Sequence, residues 1–355
     1  MSRWLALLEA AKQQGASDVF FSTGNPPMMR VHGLLCTFAD ATVFSSDEVA
    51  AGLDDMLSPQ QRLHFSASAD IDFAIEVSEL GRFRVNAFQH HNGLGVVLRV
   101  LAQSPPALAD LTAADAMAKS VLIDWADHVS GLVLFSGRSG CGKSSTQAAL
   151  VERINSNGKR HVITVEDPIE YVHKSRGGLV HQREVGLHVQ SFERALGAAL
   201  RENPDVIVVG ELRDTRSVQL ALEAAETGHL VLATCHAGNA INSVSRLLEA
   251  VPAAQRSSAR GLLAQSLIGI VFQCLLPTES GGRVAAFELL QATPAVRNLI
   301  REDKPMQILS AMQTGKTGGM RTIHQALEAL ADAGIVAKRC VADYARAYWR
   351  LPRLR

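Results

Sequence analysis

The chain has 355 residues, 47% of them hydrophobic and 20% charged. That composition supplies a full core and excludes intrinsic disorder, and the length suits two domains, or one domain with appendages. Lys plus Arg and Asp plus Glu balance at 35 each, so no global charge draws the protein to nucleic acid or to an acidic membrane surface.

Five cysteines, at positions 36, 141, 235, 274 and 340, form no C-x-x-C pair. They read as reduced thiols of a cytoplasmic protein, neither a disulfide framework nor a zinc cluster. The apolar stretch 4–8 is interrupted by Glu9 and Lys12, which suits an amphipathic helix better than a signal peptide. No uncharged apolar run approaches the roughly 20 residues that span a bilayer. Membrane association is therefore expected only through a partner.

In chain order, residues 2–14 predict a helix ended by Gly15, and 18–22 and 28–31 predict strands around a Gly-Asn-Pro-Pro turn. A helix follows over 46–56, capped by Ser45 or Ser46 with Asp47 and Glu48 in its first turn. Residues 71–77, 82–89 and 95–100 read as strands of one antiparallel sheet. This makes a small α+β domain over 1–101 with a linker at 102–112, where Pro105 and Pro106 stop helix and sheet alike. Short apolar runs at 132–135, 162–165, 206–209 and 230–233 then alternate with helical segments. Such runs are the mark of strands buried on both faces of a parallel sheet, and the fold class expected over 113–290 is an α/β, RecA-like core. After a strand at 283–290, a helical region is expected over 291–355, with Thr293 capping a helix that has Pro294 at its first position. Its last ten residues, 346–355, carry four arginines and two aromatics and read as a solvated tail or a docking segment.

The most specific motif is GRSGCGKSS over residues 137–145, which fits G-x-x-x-x-G-K-[ST] through Gly137, Gly142, Lys143 and Ser144. An apolar strand precedes it and a helix follows, the setting in which the match predicts a nucleoside triphosphate site. Backbone amides over Ser139, Gly140, Cys141 and Ser145 would close on phosphate oxygens at the helix N-terminus. Lys143 would reach the β- and γ-phosphates, and Ser144 would ligate magnesium. The helix N-terminus should lower a thiol pKa at Cys141, although a small residue simply tolerated there is the plainer reading.

Three further clusters accompany this loop. Residues 166–170, EDPIE, place three carboxylates after a core strand, at the sheet edge where ligands of α/β proteins bind. The strand 206–209 leads to Glu211, a Walker B form with Glu for the commoner Asp, able to hold a magnesium-bound water or to position the attacking one. His229 and His236 bracket the strand 230–233. Their spacing of seven argues against a shared metal, and each is either structural or a sensor of the γ-phosphate. In the N-terminal sheet, Arg82 and Arg84 share a face by strand alternation. They, with Arg99, are either surface residues or a source of phosphate-neutralising charge.

Taken together, these blocks resemble the type IV pilus retraction ATPases, the PilT/PilU type within the secretion ATPase superfamily. The resemblance runs from about Gly15 to Leu330 and rests on ASDVFFSTGNPPMMRVHG, GRFRVNAF, the phosphate loop, TVEDPIEYVH, LVHQREVG, ALRENPDVIVVGELRD, AAETGHLVLATCH and TPAVRNLIREDK. It implies a cytoplasmic homo-hexamer whose subunits join a PAS-like N-terminal domain to a RecA-like one, with ATP between them and Mg2+ as cofactor. It also implies an inner-membrane pilus platform protein as partner and pilus depolymerisation as the work done. By matching position it makes Glu170 the catalytic glutamate, Glu211 the Walker B acid, His229 and His236 the His-box pair, and Arg82, Arg84 and Arg99 the arginines that approach the nucleotide. The chain departs from the family at Arg138, Ser139 and Cys141 of the loop, and at Ser130 and Asn92, where arginine is common. Those departures suggest an alternative: a weakly active subunit that binds ATP and assists a paralogous retraction ATPase.

Overall fold

Alternating burial along the N-terminal strands gives one face to a core and leaves the other to polar side chains. In the computed structural model, which describes residues 2–315 and 318–348, these strands are β1 (Asp18–Ser22), β2 (Met28–Val31), β3 (Leu34–Thr37), β4 (Asp70–Val77), β5 (Gly81–His90) and β6 (Gly93–Val100). They form an antiparallel sheet of order β3-β2-β1-β6-β5-β4. Phe83, Val85 and Ala87 of β5 point into the core. There the Trp4 ring of helix Ser2–Gln13 packs 4.3 Å from Phe21, which in turn lies 5.3 Å from Phe44. Gly52 is where helix Ser46–Asp54 meets Trp4: a Cβ there would sit 2.3 Å from the indole.

That helix starts at Ser45, whose hydroxyl accepts from the Glu48 amide while the Glu48 carboxylate accepts from the Ser45 amide, a complete capping box. Two elements of this region have no apolar pattern. Helix Pro59–Ser68 buries no residue, so its only local signal is its start, where Ser58 and Gln61 form a capping box around Pro59. Strand β3 leaves Leu34 and Leu35 exposed at the sheet edge.

The second sheet contains β7 (Gly131–Ser136), β8 (His161–Glu166), β9 (Leu179–Glu184), β10 (Val206–Val209), β11 (Leu230–Cys235), β12 (Leu267–Pro277) and β13 (Arg283–Gln291), in the order β13-β12-β7-β11-β10-β8-β9. All neighbours run parallel except β13, which is antiparallel to β12. Successive residues feed opposite cores. Leu132, Leu134, Ile207, Val209 and Val231 pack on the side of helices Thr215–Glu226, Ala240–Glu249 and Arg256–Ser266. Val133, Phe135, Val206, Val208 and Leu232 face helices Ala116–Asp127 and Lys143–Asn157. Strands covered on both faces need no alternation, which is why they appear as plain apolar runs. Strands β9 and β12 have no counterpart among the apolar runs of the sequence; β12 is longer than those runs and is broken by Gly269 and Gln273. At Gly269 the strand passes so close to the Trp125 ring that a Cβ would lie 2.2 Å from it.

After β13 come helices Pro294–Arg301, Ile308–Thr314, Ile323–Asp332 and Lys338–Tyr348. Thr293 accepts from the Val296 amide ahead of Pro294, the cap read from the sequence. Apart from the backbone of 346–348, the arginine-rich tail lies outside the described residues. Among the described residues no helix is long and apolar enough to cross a membrane. The chain divides into two compact units. One holds Met1–Ser104 together with Asp167–Val172, and the other holds Pro105–Glu166 and the chain from His173 onward.

Candidate functional site

In the second unit the turn after β7 leads straight into helix Lys143–Asn157. Gly142 occupies the N-cap position at φ 91° with no side-chain cap, so the first amides of the helix are left to an outside acceptor. Gly137, at φ 143°, has its would-be Cβ 2.5 Å from Cys141 Sγ and 2.6 Å from the Gln273 carbonyl oxygen. A side chain at either position would meet both steric and backbone strain. Arg138, Ser139 and Gly140 are exposed at the tip, whereas Ser144 and Ser145 are half-buried at the helix start.

Lys143 is 8% exposed, and its Nζ donates to the carbonyls of Gly137 at 2.9 Å and Arg138 at 3.0 Å. Neutral carbonyls are weaker partners for an ammonium than phosphate oxygens, so an anion at the loop would draw it over. Behind the loop, Gln147 is buried and its Nε2 donates to the carbonyls of Leu232 at 3.0 Å and Val209 at 3.3 Å. This amide fastens the helix to β10 and β11. Cys141 is also buried, and burial pushes its thiol up against the pull of Lys143. The lowered pKa expected from the helix N-terminus is therefore not found: desolvation outweighs the dipole.

Because β7, β11, β10 and β8 are adjacent and parallel, whatever follows each of them lies along one sheet edge. The phosphate loop, His236 and Glu211 are thus brought to a common edge. Glu211 Oε1 lies 3.3 Å from His236 Nε2, and Glu211 Oε2 accepts from Arg213 Nε at 2.7 Å. Arg213 has no counterpart in the sequence reading, although it stands two residues beyond the acid it orients. His229 is not at that edge. It precedes β11, its carbonyl accepts from the Gly131 amide at 3.0 Å, and its Nδ1 lies 3.0 Å from the Ala224 carbonyl. The strand between the two histidines separates them by about 20 Å at ~3.3 Å per residue. Within this unit His229 cannot sense a phosphate held by the loop.

The other candidates belong to the first unit. Arg82 and Arg84 lie on one face of β5, and Arg99 is directly opposite Arg84 on β6, so the three share a face. Arg82 Nη2 donates to the Ile169 carbonyl at 3.0 Å. Arg84 is paired with Asp72, which holds its guanidinium above the usual range, with Glu170 and Asp167 adding smaller pulls. Arg99 Nε donates to Asp18 Oδ1 at 2.9 Å. The acidic segment carrying Glu170 thus gathers with the arginine face.

A glycine-shaped loop between a parallel strand and a helix, with a buried lysine and an acid–histidine pair along the same edge, defines the class of P-loop nucleotide-binding proteins. A family model described as type II/IV secretion system protein matches residues 5–336, and the chain belongs to that family, among its PilT/PilU-type members. It is 40% identical to the type IV pilus retraction ATPase PilT of Pseudomonas aeruginosa, covering 96% of this chain and 97% of that one. It is 39% identical to the type IV pilus ATPase PilU of the same organism, covering 92% and 85%. A solved structure of the pilus retraction motor PilT with bound ADP superposes with a TM-score of 0.86 at 38% identity over 96% of both chains.

Proposed function

We propose that the protein is an ATP-hydrolysing motor that powers type IV pilus retraction, and hence twitching motility. The observation that carries the chemistry is the buried Lys143 in its glycine loop, on the sheet edge that also bears the Glu211–His236 pair. Lys143 takes the charge of the β- and γ-phosphates, and amides over Gly137, Ser139, Gly140, Cys141, Gly142 and Ser145 surround them. The hydroxyl of Ser144 and the carboxylate of Glu211 are oxygen donors of the kind magnesium prefers, and they would hold it, directly or through water. Magnesium, when bound, screens the charge that builds on the transferred phosphoryl group. Glu170 acts as the base toward the attacking water, Glu211 with His236 fixes the polar edge, and Arg82, Arg84 and Arg99 contribute positive charge to the nucleotide. His229 takes part only across a subunit boundary.

The architecture proposed is a PAS-like domain over 1–101 and a RecA-like core over 113–290, joined by a linker at 102–112 and followed by a helical region. Such subunits assemble as a homo-hexamer in the cytoplasm, held at the inner membrane by the pilus platform protein. The test is turnover by the purified protein. Lys143→Ala should abolish ATP binding. Glu211→Gln and Glu170→Gln should bind ATP and lose about 10²- to 10⁴-fold in kcat, the usual worth of an acid–base group. Near-normal turnover in the glutamate variants overturns their assignment.

A second reading is an accessory subunit that binds ATP and turns it over slowly. It is favoured by the exposed Arg138 and buried Cys141 in the loop. Negligible turnover alone, restored by a paralogous retraction ATPase, would select it; robust turnover alone would exclude it.

A further inference from the structure

Strand β12 runs beside β7 with Phe272 opposite Ser136, so the next residues on the two chains are Gln273 and Gly137. Gln273 is 1% exposed and touches the phosphate loop at three places. Its backbone oxygen is the atom that a Cβ on Gly137 would strike, at 2.6 Å. Its Nε2 donates to the Cys141 carbonyl at 2.7 Å, and the same nitrogen lies 2.9 Å from where a Cβ on Gly142 would stand. The carbonyl acceptor fixes the orientation of the amide, since only its nitrogen can donate. That leaves Oε1 buried without a hydrogen-bond partner.

A buried acceptor left unmade is a standing cost to the fold, and methionine or leucine at this position would avoid it. We infer that Gln273 is the positioning residue of the phosphate loop. Its nitrogen turns the Cys141 carbonyl away from the site so that the loop amides face phosphate, and Oε1 accepts from a loop donor once the nucleotide is bound. The inference rests on the nucleotide-binding reading above, and Gln273 lies outside the G-x-x-x-x-G-K-[ST] motif.

The test pairs two measurements on full-length Gln273→Met, which keeps the volume and removes both hydrogen-bonding atoms. One is titration with a fluorescent ADP analogue in magnesium buffer, and the other is the melting temperature without nucleotide. The expected result is about tenfold weaker binding, the scale of one lost hydrogen bond, with a melting temperature equal to or above that of the parent. Gln273→Glu keeps the shape but, when ionised, cannot donate to the Cys141 carbonyl, and should then bind more weakly still. If the methionine variant does not fold, Gln273→Asn carries the test: it is one methylene too short to reach Cys141, and the same loss is expected. Parental affinity in these variants overturns the inference. So does a loss of affinity matched by a lowered nucleotide-free melting temperature, which would make Gln273 a general packing residue. Failure of the parent itself to bind the analogue, with Lys143→Ala as the blank, would instead remove the nucleotide-binding reading.

Discussion

Lys143 and Cys141 are two residues apart and both are buried, the one among carbonyl oxygens and the other against a glycine. The lysine keeps company with two carbonyl dipoles and stays poised for an anion. The thiol has its Sγ pressed under Gly137 and is pushed toward the protonated form by desolvation. A thiol held protonated and out of water is a poor nucleophile. Alkylation with iodoacetamide near neutral pH should therefore label the half-buried Cys36 and Cys340 well before Cys141, followed by mass spectrometry of the peptides. Early labelling of Cys141 would mean that the loop opens readily. The same packing explains why an unusual residue is accepted in the loop: it fills space rather than reacting.

At the scale of elements, two buried titratable groups join segments distant in sequence. Glu288 of β13 accepts from the first amides of two helices, Ala240 at 2.6 Å through Oε1 and Ile323 at 2.9 Å through Oε2. Glu288→Ala would leave both amides unpaired in the interior and should lower unfolding stability by about 3 kcal/mol, read from urea titration. His173 plays a comparable part near the phosphate-loop helix. Its Nδ1 lies 3.2 Å from Glu152, which also pairs with Arg176, and its amide donates to Gln182. Burial pushes the imidazole below its ordinary 6.5, against the attraction of Glu152. A base with a depressed folded pKa stabilises the fold fully above its unfolded pKa, and that contribution is lost as the pH falls toward the folded value. Urea midpoints should thus fall from pH 7 toward about pH 5 in the parent protein, and fall less in His173→Gln. Equal slopes would mean that protonation of His173 is not felt by the fold.

For the whole molecule, the proposed activity predicts a phenotype. A strain lacking the gene should carry more surface pili than its parent and spread less by twitching, scored by electron microscopy and by subsurface motility. A strain with fewer pili would point to extension rather than retraction. Complementation with Lys143→Ala should fail in the same assay, because the motor then lacks its fuel. The mixed α/β fold, the family and the 38% identity to a retraction motor all agree with that outcome.

The sequence alone determined what depends on neighbours along the chain. The phosphate loop, the capping box at Ser45 and Glu48, the Thr293 cap with Pro294 and the apolar runs of β7, β8, β10 and β11 are all local signals. The tertiary structure decided what depends on which strands lie side by side. Parallel order put His236 with Glu211 and sent His229 to the far edge, although both histidines flank one strand. Packing assigned residues 167–172 to the first unit, in the middle of a stretch that otherwise belongs to the second. Strand β12, hidden in sequence by a glycine under Trp125 and a lone glutamine, proved to be the neighbour of β7. Only that pairing brings Gln273 against Gly137 and Cys141, more than a hundred residues away. Local conformation follows from side-chain chemistry at short range, whereas the loop's support comes from burial and register, which no short stretch of sequence encodes.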